Sequence, residues 1–323
     1  MEITNTPRII FDTDMDTDCD DVGAFAMLLE AHLSRKIELI GVVADSVSRY
    51  AAPCCEVMAQ YYKINVPVGT IYSNDYMDTA ADIERFANYR RHSEKCLSLG
   101  KSYNYIFAKK IEKIDKDYPS AASVYRRLLS ESEDNSVTVL CVGMLTALAE
   151  ALCSQPDEIS QLSGVELFRK KVKSVITMGN PNKTNDFNWC MDAYATEKFF
   201  SLCPVHIYIS AEGTNILTGE YLSTALMDEH PLKCAYEIWF GQKNCGRSSW
   251  DLIATLYAIE SETSYLTCKD LGGAFYVAKE KKLYINDFEN KNIRQIYLNC
   301  EPKTMSELLN KHMLGDFELK TGI

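Results

Sequence analysis

Apolar and polar positions alternate along this chain in two kinds of block. Short apolar runs read as buried strands, and stretches where apolar side chains return every third or fourth residue read as helices packed on them. RIIF (residues 8–11) is the first such strand, and Val22, Phe25, Ala26 and Leu29 then recur at helical spacing. IELIGVVADS gives a second strand, CCEVMAQYYK a helix and VPVGTIYS a third strand. A long, polar, mostly helical insertion occupies residues 75–133. Its helices are AADIERFANYRR and PSAASVYRRLLSES, with Pro119 suited to the first turn of the second. The alternation resumes with SVTVLCVG, LTALAEALC, VKSVITMGN, AYATEKFFSLC and VHIYIS. Apolar strands interleaved with amphipathic helices predict an α/β fold: a mainly parallel open sheet with helices on both faces. The tail, residues 270–323, changes period. GAFYVAKEKKLYIND and NIRQIYLNC read as a small antiparallel appendage, closed by the helix TMSELLNKHML. No repeat, low-complexity tract or linker interrupts the pattern, so residues 1–323 are read as one domain.

Composition narrows the class. Of the 323 residues, 46% are hydrophobic, enough for a proper core. A formal net charge of -11 argues against sequence-independent nucleic-acid binding and against an anionic membrane surface as partner. The opening MEITNTPRII has no charged segment leading into an apolar one, and no apolar run elsewhere approaches membrane-spanning length, so the expectation is a cytoplasmic protein. None of the twelve cysteines forms a C-x-x-C or a zinc-spaced cluster. Most sit in apolar segments, Cys141 and Cys153 among them, and read as small buried hydrophobes in a reducing compartment.

The chemistry concentrates in RIIFDTDMDTDCDDVGAFAML, where Asp12, Asp14, Asp16, Asp18, Asp20 and Asp21 follow directly on an apolar strand. Ligands of open parallel sheets bind outside the carboxyl ends of the strands, so these side chains project into that crevice. Asp20 and Asp21 open the next helix, whose dipole favours one or two negative charges but not six. Ca²⁺, which takes about six to eight oxygen ligands, is the economical remedy. Without it, burial would force some of the carboxylates to protonate. An EF-hand needs Gly at its sixth place and Glu at its twelfth. Counted from Asp12 these are Thr17 and Gly23, and from Asp14 they are Cys19 and Phe25, so that loop is excluded. Neither DTDMD nor DMDTD carries the Gly-Thr of an aspartyl-phosphate phosphatase, and no phosphate-cradling Gly-rich loop or basic cluster is present. The remaining plain reading is a solvated acidic turn.

The same stretch resembles the nucleoside hydrolases, the inosine–uridine-preferring N-ribohydrolase family, whose mark is Asp-Thr-Asp-Pro-Gly-x-Asp-Asp after the first strand. Asp12–Asp14 match its start and Asp20–Asp21 its close, with MDTDC between them two residues longer than usual. CVGMLTALAEAL is similar to the family's Gly-Pro-Leu-Thr-Asn-Leu-Ala segment, and VITMGN to its Met-Gly-Gly strand. DFNWCMDAYATEKFF resembles Glu-Phe-Asn followed by Asp-Pro-Glu-Ala-Ala, and SSWDLIATLYAI the helix that opens with His-Asp. The resemblance spans about Arg8 to Ile259. It implies that Asp14, Asp20, Asp21 and Asp251 bind Ca²⁺ by carboxylate, that Thr146 adds a backbone carbonyl, and that Asp12 supports the loop. It further implies that Asp20 and Asn188 bind the ribose 2′- and 3′-hydroxyls, Asp186 the outer sugar hydroxyls, and that Asp14 is the general base. Asp16 and Asp18 lie in the non-matching middle, and Asp18 either reaches the metal or a group beside it or is solvated.

Trp250 replaces the His that, in the commonest branch of the family, protonates the departing base. Indole N–H is no acid near neutral pH. Glu212 and Asn215, at the carboxyl end of a strand, are placed to face the crevice and assist leaving, with Glu212 the candidate acid. Tyr221, Tyr236 and Trp239 come from the segment that covers the base in the family. Trp250 either packs in the core or stacks on the base. Asp45 or Ser46 stands where the family has Gly-Asn, and Asn180, Asn182 and Asn185 are candidate contacts to the sugar 5′ end. The five histidines read as structural. The expectation is a Ca²⁺-dependent hydrolase releasing ribose and free base from a nucleoside, a cytoplasmic, homo-oligomeric (dimer or tetramer) salvage enzyme. The alternatives are a calcium-loaded, nucleoside- or ribose-binding relative without turnover, or a hydrolase of another N-riboside.

Overall fold

In the computed structural model, which describes residues 6–16, 18–71, 80–111, 113, 118–286 and 292–317, RIIF lengthens into β1 (Arg8–Thr13). The strands that follow are β2 (Glu38–Ala44), β3 (Val68–Thr70), β4 (Val137–Cys141), β5 (Val172–Met178), β6 (His206–Ser210), β7 (Leu217–Thr218), β8 (Arg247–Ser248), β9 (Leu266–Val277), β10 (Lys282–Asn286) and β11 (Ile293–Leu298). Nine of them form one sheet in the order β10-β9-β11-β6-β5-β4-β1-β2-β3, while β7 and β8 make a separate two-stranded pair. From β3 to β11 every neighbouring pair runs parallel. The antiparallel part is confined to β9 and β10 at one edge. It is continuous with the main sheet rather than appended to it, because β11 pairs in parallel with β6 and antiparallel with β9.

Strand order reverses between β1 and β4: the chain winds outward from β1 to β3 on one side and from β4 to β6 on the other. The connections that leave the carboxyl ends of β1 and β4 therefore turn to opposite faces of the sheet and leave a crevice between them, the usual ligand position in such sheets. The strands are nearly continuous apolar runs because both faces are covered. Phe11, Val42 and Leu140 join one core with the helices Asp20–Leu33, Ala51–Tyr61 and Trp250–Glu260, and Ile10, Val43 and Val139 join a second on the opposite face. Phe11 stacks on Phe25 at 5.4 Å, fixing the first helix to the first strand. Among the described residues no helix is long and apolar enough to cross a membrane.

The insertion is helical as expected, with Ala80–Arg85, Ala87–Ser98, Tyr103–Ala108 and Ala121–Ser130. Its residues 75–79, 112 and 114–117 lie outside the described residues, as do 287–291 and 318–323 of the tail. Pro119 falls just before the last of these helices rather than in its first turn. Ser120 is the cap, its hydroxyl accepting from the Ser123 amide. None of the twelve cysteines is in a disulfide, and Cys141 is buried as expected, whereas Cys153 is exposed.

Gly143, just past β4, lets that strand approach β1. A Cβ there would lie 2.5 Å from the Asp14 amide nitrogen and 2.8 Å from the Asp14 Cβ. Backbone cannot yield as a flexible side chain would. Gly143→Ala is therefore expected to cost about 1–3 kcal/mol, measured by urea unfolding. An unchanged midpoint would show that β1 and β4 are free to separate.

Candidate active site

Asp12, Asp14, Asp20, Asp21 and Asp251 gather at the crevice, each at most 3% exposed. The turn is not solvated: Asp16 is 1% exposed, and the Asp18 side chain keeps only 18%. Several of these carboxylates meet donors from other elements. Tyr125 Oη donates to Asp12 Oδ2 at 2.5 Å, and the Thr13 hydroxyl donates to Asp21 Oδ1. Asn104 Nδ2 donates to Asp16 Oδ1 at 2.8 Å, and Tyr89 Oη reaches Asp14 Oδ2 at 3.4 Å. The helices Asp20–Leu33 and Trp250–Glu260 both aim their N-termini at the cluster, and the Asp251 amide donates to Asp20 Oδ2 at 3.3 Å. Free N–H groups at a helix start favour negative charge. The donors are too few. Burial, then the mutual repulsion of Asp14, Asp18 and Asp21, pushes Asp21 and Asp251 well above the usual carboxylate range, and burial with Asp45 does the same to Asp12.

Asp18, Asp20 and Asp21 can bring one oxygen each within 4.8 Å of one another. The donor set is all oxygen and acidic, which suits a hard cation.

A cavity of about 500 Å³ opens above this floor. Asp14, Asp18, Asp20, Asp21, Asn180, Asp186, Asn188, Trp250 and Asp251 all line it. On one side Asp186 accepts from the Asn180 amide at 3.1 Å, while its Oδ1 has no hydrogen-bond partner and burial raises its pKa. Asn188 Nδ2 donates to the Val142 carbonyl at 2.6 Å, tying this wall to the end of β4. On the other side stand Trp239, Arg247, Trp250 and Thr214. Trp250 faces the cavity rather than the core, its Nε1 donating to Thr214 Oγ1 at 3.1 Å. Gly213 allows this: at φ +132°, a Cβ there would lie 2.6 Å from the Trp250 backbone nitrogen.

The structure does not bring Thr146 or Glu212 to the cavity. Thr146 is already inside the helix Thr146–Cys153, fully buried, with its hydroxyl donating to Asp192 at 2.9 Å. Val142, at the carboxyl end of β4, lines the cavity instead. Glu212 turns toward the Leu298 backbone at the end of β11. Asn215, Tyr221, Asn182 and Asn185 are not among the lining residues, and Tyr236 is buried beside Met313. Asp45 accepts from the Ala147 amide at 2.9 Å and so caps a helix, and Ser46 accepts from Tyr89 at 3.2 Å. Sequence reasoning missed Val142, His92, Lys183 and Arg247. His92 reaches the cavity from the insertion, edge-on to Phe187 at 5.2 Å. No motif marks His92, but Val142 could have been found as the residue that leaves β4.

The chain belongs to the family described as inosine-uridine preferring nucleoside hydrolase, whose model matches residues 9–302. That places it among the N-glycosyl hydrolases and extends the match through β11 into the tail. Its fold is similar to that of an inosine-uridine preferring nucleoside hydrolase from Bacillus anthracis, at 15% identity, TM-score 0.63, and coverage of 96% of this chain and 99% of that one. It is likewise similar to a purine-preferring ribonucleoside hydrolase from Gardnerella vaginalis, at 15% identity, TM-score 0.61, and 95% and 98% coverage. A type III effector protein, XopQ, complexed with adenosine diphosphate ribose, shares the fold at 13% identity, TM-score 0.65, and 97% and 94% coverage. No curated protein sequence matches the chain.

The raised carboxylates set the direction of a pH effect. Asp16 is pushed up to about 6 and Glu150 to about 9, burial being the largest cause for both, while their unfolded values are 3.8 and 4.5. A group that holds its proton more tightly when folded stabilises the fold below its unfolded pKa. That contribution is lost as pH rises through the folded value. In chelator, the melting temperature is expected to fall from about pH 4 to about pH 9, Asp16 contributing up to about pH 6 and Glu150 over the whole of that rise. Added Ca²⁺ should restore it most at the alkaline end, where ligands are ionised. A melting temperature that rises over this range in chelator would show that the cluster carries no buried excess of charge.

Proposed function

We propose that this protein hydrolyses the N-glycosidic bond of a ribonucleoside, releasing ribose and free base, with Ca²⁺ held by Asp14, Asp20, Asp21 and Asp251. The observation that carries the reading is the cluster of buried carboxylates at the reversal point of the sheet, facing a cavity whose two walls differ in kind. A hard divalent cation, when bound there, makes water easier to deprotonate and gives diol oxygens a fixed anchor.

The chain's own residues account for the remainder. Asp186 and Asn188, with Asp20 on the floor, are placed to accept from and donate to sugar hydroxyls, and Asn180 and Lys183 stand at the same wall. The aromatic wall of Trp239 and Trp250 suits a flat base. As the C1′–N bond lengthens, positive charge grows on the sugar ring, and the carboxylates below stabilise it. Asp14 takes the proton of the attacking water. Asp12 stays bound to Tyr125 and holds the loop. Thr146 and Glu212 have no part in this arrangement, since neither reaches the cavity. The reading extends to a cytoplasmic, homo-oligomeric salvage enzyme, supported by cysteines that form no disulfide and by the family.

The test is reducing-sugar release from a panel of nucleosides with Ca²⁺ and after chelation. Calcium-dependent release is expected. Bound nucleoside without release would favour a binding relative, and release only from another N-riboside would move the substrate class. Asp14→Asn is expected to lower kcat by about 10²–10⁴-fold with the fold retained. Near-normal turnover in that variant would remove Asp14 as base. Glu212→Gln is expected to leave kcat unchanged, and a selective loss with poor leaving groups would return Glu212 to the chemistry.

A further inference from the structure

Among the described residues Arg247 is the only arginine lining the cavity, and its position is fixed from three sides. Nη2 donates to Asp18 Oδ2 at 2.7 Å. The guanidinium carbon lies 4.8 Å from the Trp250 ring centroid and 5.8 Å from that of Trp239. The Trp250 ring is itself pinned through Thr214. Asp18 is held in turn, since its Oδ1 accepts from the Asp20 amide at 3.1 Å and its carbonyl from Tyr103 Oη at 2.6 Å. Asp18 belongs to the two-residue enlargement of the aspartate turn, and Arg247 to β8, so two segments far apart in sequence build one fixture. A guanidinium carries five N–H donors, and a single carboxylate oxygen does not exhaust them. Stacking on aromatic faces keeps the cation in place with its edge open.

We propose that Arg247, held by Asp18 between Trp239 and Trp250, is the group that stabilises the departing base. This rests on the hydrolase reading above. The C1′–N bond breaks with its electron pair passing to the base nitrogen. The water oxygen forms the new bond to C1′, and its proton goes to Asp14. Arg247 N–H groups hydrogen-bond the ring nitrogens or carbonyl oxygen on which the negative charge is delocalised, and the base takes its proton from solvent after release. Arg247 gives up no proton. Burial works against its charge, but Asp18 together with Cys19 and Asp251 holds its pKa above the ordinary value. The acid that Trp250 cannot be is thus replaced by a fixed cation. Such a device favours bases that spread charge over several acceptors, purines above all.

The test compares inosine with 4-nitrophenyl β-D-riboside, whose leaving group needs no help, in wild type, Arg247→Met and Arg247→Lys. Charge-assisted hydrogen bonds of this kind correspond to about 10- to 100-fold in rate. Arg247→Met is expected to lose that factor in kcat on inosine and at least tenfold less on the nitrophenyl riboside, and Arg247→Lys to fall between. Millimolar guanidinium should restore part of the inosine rate to Arg247→Ala, which a merely structural arginine would not show. Equal losses on both substrates, or selective loss without rescue, would overturn the assignment. A wild-type protein that hydrolyses neither substrate with Ca²⁺ bound would instead bring down the hydrolase reading, and this inference with it.

Discussion

Negative charge buried at the carboxyl end of β1 is the constraint around which the molecule is arranged. An ionised carboxylate moved out of water costs several kcal/mol even after relaxation, and five aspartates here are at most 3% exposed within one crevice. The fold answers with what it has: the N-termini of two helices, the hydroxyls of Thr13, Tyr89 and Tyr125, the amide of Asn104 and the cation of Arg247. Asp12, Asp21 and Asp251 still bind protons more tightly than free carboxylates do. A site left in this condition is pre-stressed toward a hard cation, because the cation removes repulsion that the protein alone does not.

This explains what the helical insertion does for the sheet. On its own, the parallel core would leave the aspartate turn facing water, where a flexible loop would spread its charges. Tyr89 comes from the helix Ala87–Ser98, and Tyr103 and Asn104 from Tyr103–Ala108, and all three are buried against the turn. They hold Asp14, Asp16 and Asp18 from the side opposite the strands. Asp16 is thereby drawn away from the large cavity toward a smaller one of about 170 Å³. The apolar side chains of the insertion also join the two cores of the sheet, Tyr103 and Phe107 on one face and Phe86, Tyr89, Val124, Tyr125 and Leu129 on the other.

Much of this was legible in the sequence, for a physical reason. Strand and helix periods report burial, and burial on both faces of β1, β2, β4 and β5 left unbroken apolar runs. The acidic turn was legible because six aspartates fed by an apolar strand repel one another unless a cation joins them. What failed were positions whose meaning depends on a single residue of register. Thr146 carries the right motif but is already within the helix, whereas Val142 leaves the strand. Glu212 follows β6 as expected, yet its side chain goes to the Leu298 backbone. NIRQIYLNC gave no clue that β11 would enter the main sheet beside β6, because pairing partners are non-local. Arg247 was invisible for the same reason: its significance comes from Asp18, 229 residues away.

The two walls of the cavity thus obey different rules. Its floor and sugar side sit on β1, β4, β5 and the turns that leave them, where register is fixed by the sheet and one shifted residue would turn every side chain away. The base side rests on Trp239, β8 and the start of the helix Trp250–Glu260, outside the nine-stranded sheet. Elements joined by a two-stranded ladder and a few side-chain contacts can exchange residues at little cost to the core. An arrangement that changed the leaving-group chemistry, from a histidine to a stacked arginine, would be expected there and nowhere else. Its one requirement is a counter-charge in reach, and the enlarged aspartate turn supplies it in Asp18. The ion pair is then also a coupling: the turn proposed to bind the cation and the wall proposed to meet the base share a residue pair, so neither can be repositioned without the other.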